Sequence, residues 1–207
     1  MSAPSSLQAS WTATLAQAGL ADPEGRCWSE LEVLYGAADR HYHTLDHVAA
    51  CLTHLAGTER DHAPLRLALF YHDAVYDTHR HDNEEASARL AERRLEQMGA
   101  EAHLLETVVT LILATTHRDE PAGPDAALLC DIDLATLGSS EPGYRAYAEA
   151  IRREYAWVPD EDYRAGRSRV LNSFLARDRI YHTEPFHSLE APARSNLERE
   201  LATLTLS

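Results

Sequence analysis

Leu65-Arg-Leu-Ala-Leu-Phe-Tyr-His-Asp-Ala-Val-Tyr76 is the most apolar helical stretch of this chain, and it carries two ionisable residues side by side, His72 and Asp73. Leu65, Ala68, Leu69 and His72 keep the i, i+3, i+4, i+7 spacing of one helix face, so His72 is expected to point into a core. Burying such a pair is costly unless something compensates it, and a bound metal ion would do so. Adjacent helical residues differ by about 100° in direction, so both side chains can reach one ion placed between them. His47 lies 25 residues before His72, and Asp133 lies 60 after Asp73. Together they make a His … His-Asp … Asp ligand set.

Outward from this stretch, nearly every segment shows helical periodicity. Val48, Cys51, Leu52 and Leu55 make one stripe, and Ala88, Ala91, Leu95 and Met98 a second, with Gly99 placed as its C-cap. Leu104, Val108, Leu111 and Thr115 make a third, and Tyr144, Tyr147, Ala148 and Ile151 a fourth. Val170, Leu171 and Phe174 mark a further helix, and Leu197, Leu201 and Leu204 a last one after Pro192. No segment alternates as a sheet strand does. Breaks are expected at Thr78–Asp82, Arg118–Pro124, Gly138–Gly143, Trp157–Asp162 and Thr183–Pro192, all short and polar or rich in Gly and Pro. The expected fold is a compact all-α helical bundle of about seven to nine helices, with residues 1–6 a flexible tail and 7–207 one domain.

Composition narrows the function classes. A formal charge of −14 argues against non-specific binding to a nucleic-acid backbone, which rests on basic patches. It leaves room for a small phosphorylated substrate held through a metal. All 19 basic residues are arginine, which is read as a composition bias of an alanine-rich chain rather than as a phosphate-binding device. Cys27, Cys51 and Cys130 are odd in number and lack paired spacing, so they read as reduced thiols of a cytoplasmic protein. No apolar run approaches the ~18 residues of a membrane span, and no signal-peptide pattern opens the sequence.

Around the four ligands, position separates chemistry from chance. A second His-Asp pair, His81-Asp82, lies in a wholly polar run and is read as a solvated loop. Thr44 is placed as an N-cap, which puts His47 in the first turn of a helix, on the side of Cys51, and leaves His43 in the preceding loop. His43 is read either as a surface histidine or as an acid leaning over the site. Asp133 shares a stripe with Ala126, Leu129, Cys130 and Leu137, whereas Asp131 falls roughly 160° away and is read as a capping or supporting acid. His117 is either a helix-terminal histidine facing the dipole or a ligand to a second ion. Asp77 and Glu84 are either solvated helix-end acids or a general acid and base. Arg164, Arg167, Arg177 and Arg194 lie among acids and are read as partners in structural ion pairs.

The motifs Arg40-x-Tyr42-His43-x-x-x-His47, His72-Asp73-x-Val75-Tyr76-Asp77, Asn83-Glu84-x-x-Ser87-Ala88, Thr116-His117 and Asp131-x-Asp133-Leu134-x-x-Leu137-Gly138 occur in this order. Tyr163-x-x-Gly166-Arg167, Phe174-Leu175-x-Arg177-x-x-Ile180-Tyr181 and Glu190-x-x-Ala193-Arg194-x-Asn196-Leu197 follow. Over most of its length, from about Trp11 to Leu201, the chain resembles the HD superfamily of metal-dependent phosphohydrolases. Within that superfamily it more closely resembles a bacterial subfamily of predicted metal-dependent phosphohydrolases. The resemblance implies an all-α fold with a metal between helices, held by His47, His72, Asp73 and Asp133. It also implies that His43 protonates the leaving oxygen. Some HD enzymes carry a glutamate or an acidic pair three or four residues after the central Asp. Here Asp77 is the only acid in that window, which sets the chain apart from the guanosine tetraphosphate hydrolases and makes Glu84 the other candidate acid.

The function expected on these grounds is metal-dependent hydrolysis of a phosphate ester, in a nucleotide or similar small metabolite, by water bound to the ion. Imidazole and carboxylate ligands suit Mn, Fe, Co, Ni or Zn and, less well, Mg. The alternative is a silent metal- or nucleotide-binding sensor on the same fold. Di-iron oxygenase chemistry needs about six His and Asp ligands, and at most five are counted here, including His117.

Overall fold

The computed structural model describes residues 3–205, with side chains from Ser6 onward. Among them are ten α-helices, two 3₁₀ helices and no strand. The all-α expectation is met, with the helix count just above the expected range. None of these helices is long and apolar enough to cross a membrane. The sequence reading places residues 7–207 in one domain; the chain divides into two compact units, Met1–Leu129 and Cys130–Ser207.

The first unit is built on α4 (Ala63–Tyr71). Its residues Leu65, Leu67, Ala68, Leu69, Phe70 and Tyr71 are all fully buried, as expected of a helix that is apolar on every side. It packs against α1 (Ala3–Gln17), α3 (Leu45–Ala56), α5 (Asn83–Gln97) and α6 (Ala102–Ala114). Trp11 of α1 meets Phe70 and Tyr71 edge-on, with centroids 5.2 and 5.8 Å away, and Trp28 of α2 (Arg26–Tyr35) meets Phe70 at 6.4 Å. α1 begins at Ala3, inside the stretch read as a tail, while Met1 and Ser2 lie outside the described residues.

α7 (Pro124–Asp133) carries the chain into the second unit. There a 3₁₀ helix (Leu134–Gly138), α8 (Glu141–Glu154), α9 (Asp160–Leu175), a second 3₁₀ helix (Glu184–Leu189) and α10 (Glu190–Thr205) follow. α10 packs on α9 and on both 3₁₀ helices. Arg167 of α9 forks onto Glu200 of α10, with Nε 2.8 Å from Oε1 and Nη2 3.0 Å from Oε2, and Arg194 pairs with Glu190. These are structural ion pairs, as the acidic neighbourhood of those arginines suggests.

Several boundaries differ from the sequence reading, each for a local reason. α8 and α10 begin inside the breaks expected at Gly138–Gly143 and Thr183–Pro192, because proline is tolerated in a first helical turn. α9 takes in Asp160, Glu161 and Asp162, whose charges favour a helix N-terminus. Val170, assigned to the apolar stripe of α9, is 46% exposed. The most consequential difference lies at α4, which ends at Tyr71. His72 and Asp73 therefore occupy the turn beyond the helix, not its interior.

Candidate metal centre

Every carbonyl in the last turn of α4 has a partner, and this explains where the helix stops. Ala68 O accepts from His72 N at 2.8 Å and Tyr71 O from Ala74 N at 2.9 Å. Phe70 O accepts from the Tyr35 hydroxyl at 3.0 Å, and Leu69 O from His72 Nδ1 at 2.9 Å. Helix ends need such partners when buried. Two further carbonyls, Asp73 O and Ala74 O, accept from the Arg40 guanidinium at 2.6 and 2.8 Å. The same guanidinium donates to His43 O at 3.1 Å and lies against the Tyr35 and Tyr76 rings. One buried arginine thus ties the loop of His43 to the turn of Asp73.

The segment after Asp73 is held from α5. Ser87 Oγ accepts from Val75 N and donates to Val75 O, at 3.0 and 3.1 Å. One turn earlier, Asn83 Oδ1 accepts from Asp77 N and its amide donates to Asp77 O, each at 3.0 Å.

The contact between His72 and Leu69 fixes a tautomer. A carbonyl only accepts, so Nδ1 of His72 carries the proton, and Nε2 of the neutral ring presents a lone pair. That nitrogen lies 3.2 Å from His47 Nε2 and 3.0 Å from Asp73 Oδ2, and the latter two are 3.7 Å apart. Two ligand atoms at about 2.1 Å from one ion, with tetrahedral or octahedral angles, lie roughly 3.0 to 3.4 Å from each other. Two edges of the triangle fall in that range, and the His47–Asp73 edge is 0.3 Å longer than its upper end. The carbonyl behind His72 is also the usual outer partner of a metal-bound imidazole. His47 is positioned by its helix: Thr44 caps α3, its side chain accepting from Asp46 N at 3.3 Å, and His47 follows in the first turn, buried.

Cys51 lies one turn beyond His47. Its Sγ is 3.7 Å from His47 Nε2 and 3.8 Å from Nδ1. His47, Cys51 and His72 are all buried and offer ligand atoms within 4.8 Å of one another, a group that can hold a metal ion. The sequence reading places Cys51 on the side of His47 yet treats it only as a reduced thiol. The signal for more was the i, i+4 spacing. All three cysteines are free thiols, as expected.

The remaining candidates divide by environment. His43 lies in the loop before α3, its ring stacked on Tyr76 at 3.8 Å and 6.2 Å from the His47 ring. Glu84 stands in the first turn of α5. Burial raises its carboxyl above the usual range, opposed by its own backbone N–H and reinforced by the Asp73 charge. Asp77 is exposed and held below the usual range by hydrogen bonds from His79, whose backbone N and Nδ1 lie 2.9 and 3.0 Å from Oδ1. His117 follows α6 with φ 52°, a left-handed backbone seldom found outside glycine, and its N–H closes on Ala114 O. His81 is exposed and Asp82 pairs with Arg80 and Arg89, a solvated loop as read.

In the second unit, Asp131 is fully buried and accepts from His182 N and Thr183 N, at 2.8 and 2.6 Å, and from the Thr183 hydroxyl. It caps the loop after α9, the supporting role expected of it. Asp133 is the partly exposed last residue of α7. No protein-family model, no curated protein and no solved structure matches the chain.

Proposed function

We propose that the protein is a metal-dependent phosphohydrolase acting on a phosphate ester of a nucleotide or similar small metabolite. The observation that carries this reading is the triangle of His47 Nε2, His72 Nε2 and Asp73 Oδ2, with edges of 3.2, 3.0 and 3.7 Å. The resemblance of the surrounding motifs to HD enzymes supplies the reaction class.

A bound divalent ion would lower the pKa of its water and polarise the phosphoryl oxygen. His43 is proposed to donate to the leaving oxygen, because its loop is tied to the Asp73 turn through Arg40 while its ring stays outside the ligand triangle. Glu84 is the alternative donor, since burial favours its protonated form. Asp77, kept ionised by His79, suits a proton acceptor better than a donor.

The test is phosphate release from a panel of nucleotides and sugar phosphates, with protein loaded with Mn²⁺, Fe²⁺ or Co²⁺. Asp73→Ala should lose the metal and the release together. His43→Ala should keep the metal and turn over roughly 10² more slowly, the usual scale for a general acid. Loaded wild-type protein that releases no phosphate yet binds a nucleotide tightly would be a sensor. Wild-type turnover by His43→Ala would move the donor role to Glu84.

A further inference from the structure

Tyr76 closes the apolar run that begins at Leu65, yet it is only half buried, unlike the core residues of α4 before it. Its backbone is clamped on both sides from α5. Ser87 closes a reciprocal pair of hydrogen bonds on Val75, at 3.0 and 3.1 Å, and Asn83 closes another on Asp77, each bond at 3.0 Å. The ring so fixed lies face to face with the His43 imidazole, with centroids 3.8 Å apart and planes 24° off parallel. Tyr42 meets the same imidazole edge-on, at 5.0 Å and 86°. The Arg40 guanidinium, over the Tyr76 ring at 5.7 Å, also donates to His43 O at 3.1 Å. His43 thus has its backbone held by Arg40 and its ring held by two aromatic side chains. A proton donor needs such a seat, since its nitrogen must meet the leaving oxygen within hydrogen-bond reach, and a ring free to change rotamer loses that alignment.

We propose that Tyr76 is a positioning residue, whose ring holds the His43 imidazole in the rotamer that donates to the leaving oxygen of a phosphate ester. This rests on His43 as the donor, proposed above, and adds the residue that orients it. The P–O bond breaks as the proton passes from His43 to the leaving oxygen, and the proton given up by the attacking water restores it. Tyr76 takes no part in these transfers; it limits where the imidazole can go. Stacked aromatic pairs favour one arrangement over others by a factor of about 2–10, enough to set a rotamer.

Two readouts separate positioning from a role in folding. The first is the proton NMR spectrum of full-length protein with Zn²⁺, a diamagnetic ion, in which the carbon-bound ring protons of His43 are identified by their absence from His43→Ala. Stacking on Tyr76 should shift them upfield. Tyr76→Phe should keep that shift and Tyr76→Leu should lose it. The second is leaving-group dependence, measured on Co²⁺-loaded protein with phenyl and p-nitrophenyl phosphates as mono- and diesters. p-Nitrophenolate leaves without a proton, whereas a poorer leaving group such as phenolate gains from a donor. Tyr76→Leu should lose about 10-fold in kcat on phenyl esters, with KM and the p-nitrophenyl rate little changed, and Tyr76→Phe should restore it. Tyr76→Met should behave as Tyr76→Leu, so that a folding defect in one leaves the other to read. Absence of the shift in wild-type protein, equal loss on both leaving groups, or no loss once the shift is gone overturns the positioning role and leaves the hydrolase standing. Wild-type protein that hydrolyses neither class of ester overturns the donor reading and this role with it, whatever the ring shift.

Discussion

Arg40 is a charge with 7% of its surface exposed, and what it does there can be measured. Its fork spans three carbonyls on two segments, which a single ammonium cannot do in one plane. Arg40→Lys should cost about 1–3 kcal/mol, seen as a lower urea midpoint at unchanged slope. It should also weaken metal binding about 10–100-fold, the scale for residues that orient ligands. Unweakened binding in a destabilised variant would confine Arg40 to the fold. Glu84 gives a pH test. Its carboxyl is raised by burial, so its contribution to stability is complete below the unfolded pKa and is lost as pH rises through the folded one. Metal-free Glu84→Gln should therefore melt higher than wild type near neutral pH and level with it in acid. A gap of equal size at all pH values would contradict burial as the cause. At this scale His47, His72 and Asp73 were legible because they stand on apolar stripes or beside them. Arg40 was not, because its partners lie up to 34 residues away and are backbone atoms without a sequence signature.

At the scale of elements, the sequence located the helices better than their ends. The apolar run 65–76 reads as one helix, yet α4 stops at Tyr71. Val75 and Asp77 are instead bracketed by Ser87 and Asn83, and Asp73 and Ala74 by Arg40. Apolar residues buried beyond a helix end look the same in sequence as residues within it, since only distant side chains decide. Ser87→Ala removes both bonds to Val75 and should cost about 1–2 kcal/mol, with the Val75 amide exchanging faster against unchanged protection in the middle of α4. Protection at Val75 equal to wild type would show that α5 does not hold this segment. Gly138 ends the first 3₁₀ helix of the second unit. A Cβ there would lie 2.6 Å from Leu189 Cβ and 2.9 Å from Leu189 O. Gly138→Ala should thus destabilise by about 1–3 kcal/mol through overpacking. The glycine of the Leu137-Gly138 motif is then explained by a close approach rather than by chemistry.

Across the whole chain, a formal charge of −14 and a histidine–carboxylate triangle predict a stability that responds to cations. An ion that binds only folded protein adds about 2.7 kcal/mol when its free concentration is 100 times Kd. For a chain of 207 residues that is roughly 5–10 °C in Tm. Chelation should lower Tm by that order, and added Mn²⁺ or Co²⁺ should restore it; an unchanged melt after confirmed metal loss would count against the site. The central claim is that His47, His72 and Asp73 hold one ion, and anomalous diffraction from crystals grown with Co²⁺ tests it most directly. The account predicts a single strong anomalous peak about 2.0–2.2 Å from His47 Nε2, His72 Nε2 and Asp73 Oδ2. Cobalt found only at surface carboxylates, with these three side chains in contact with each other and no peak among them, would contradict it.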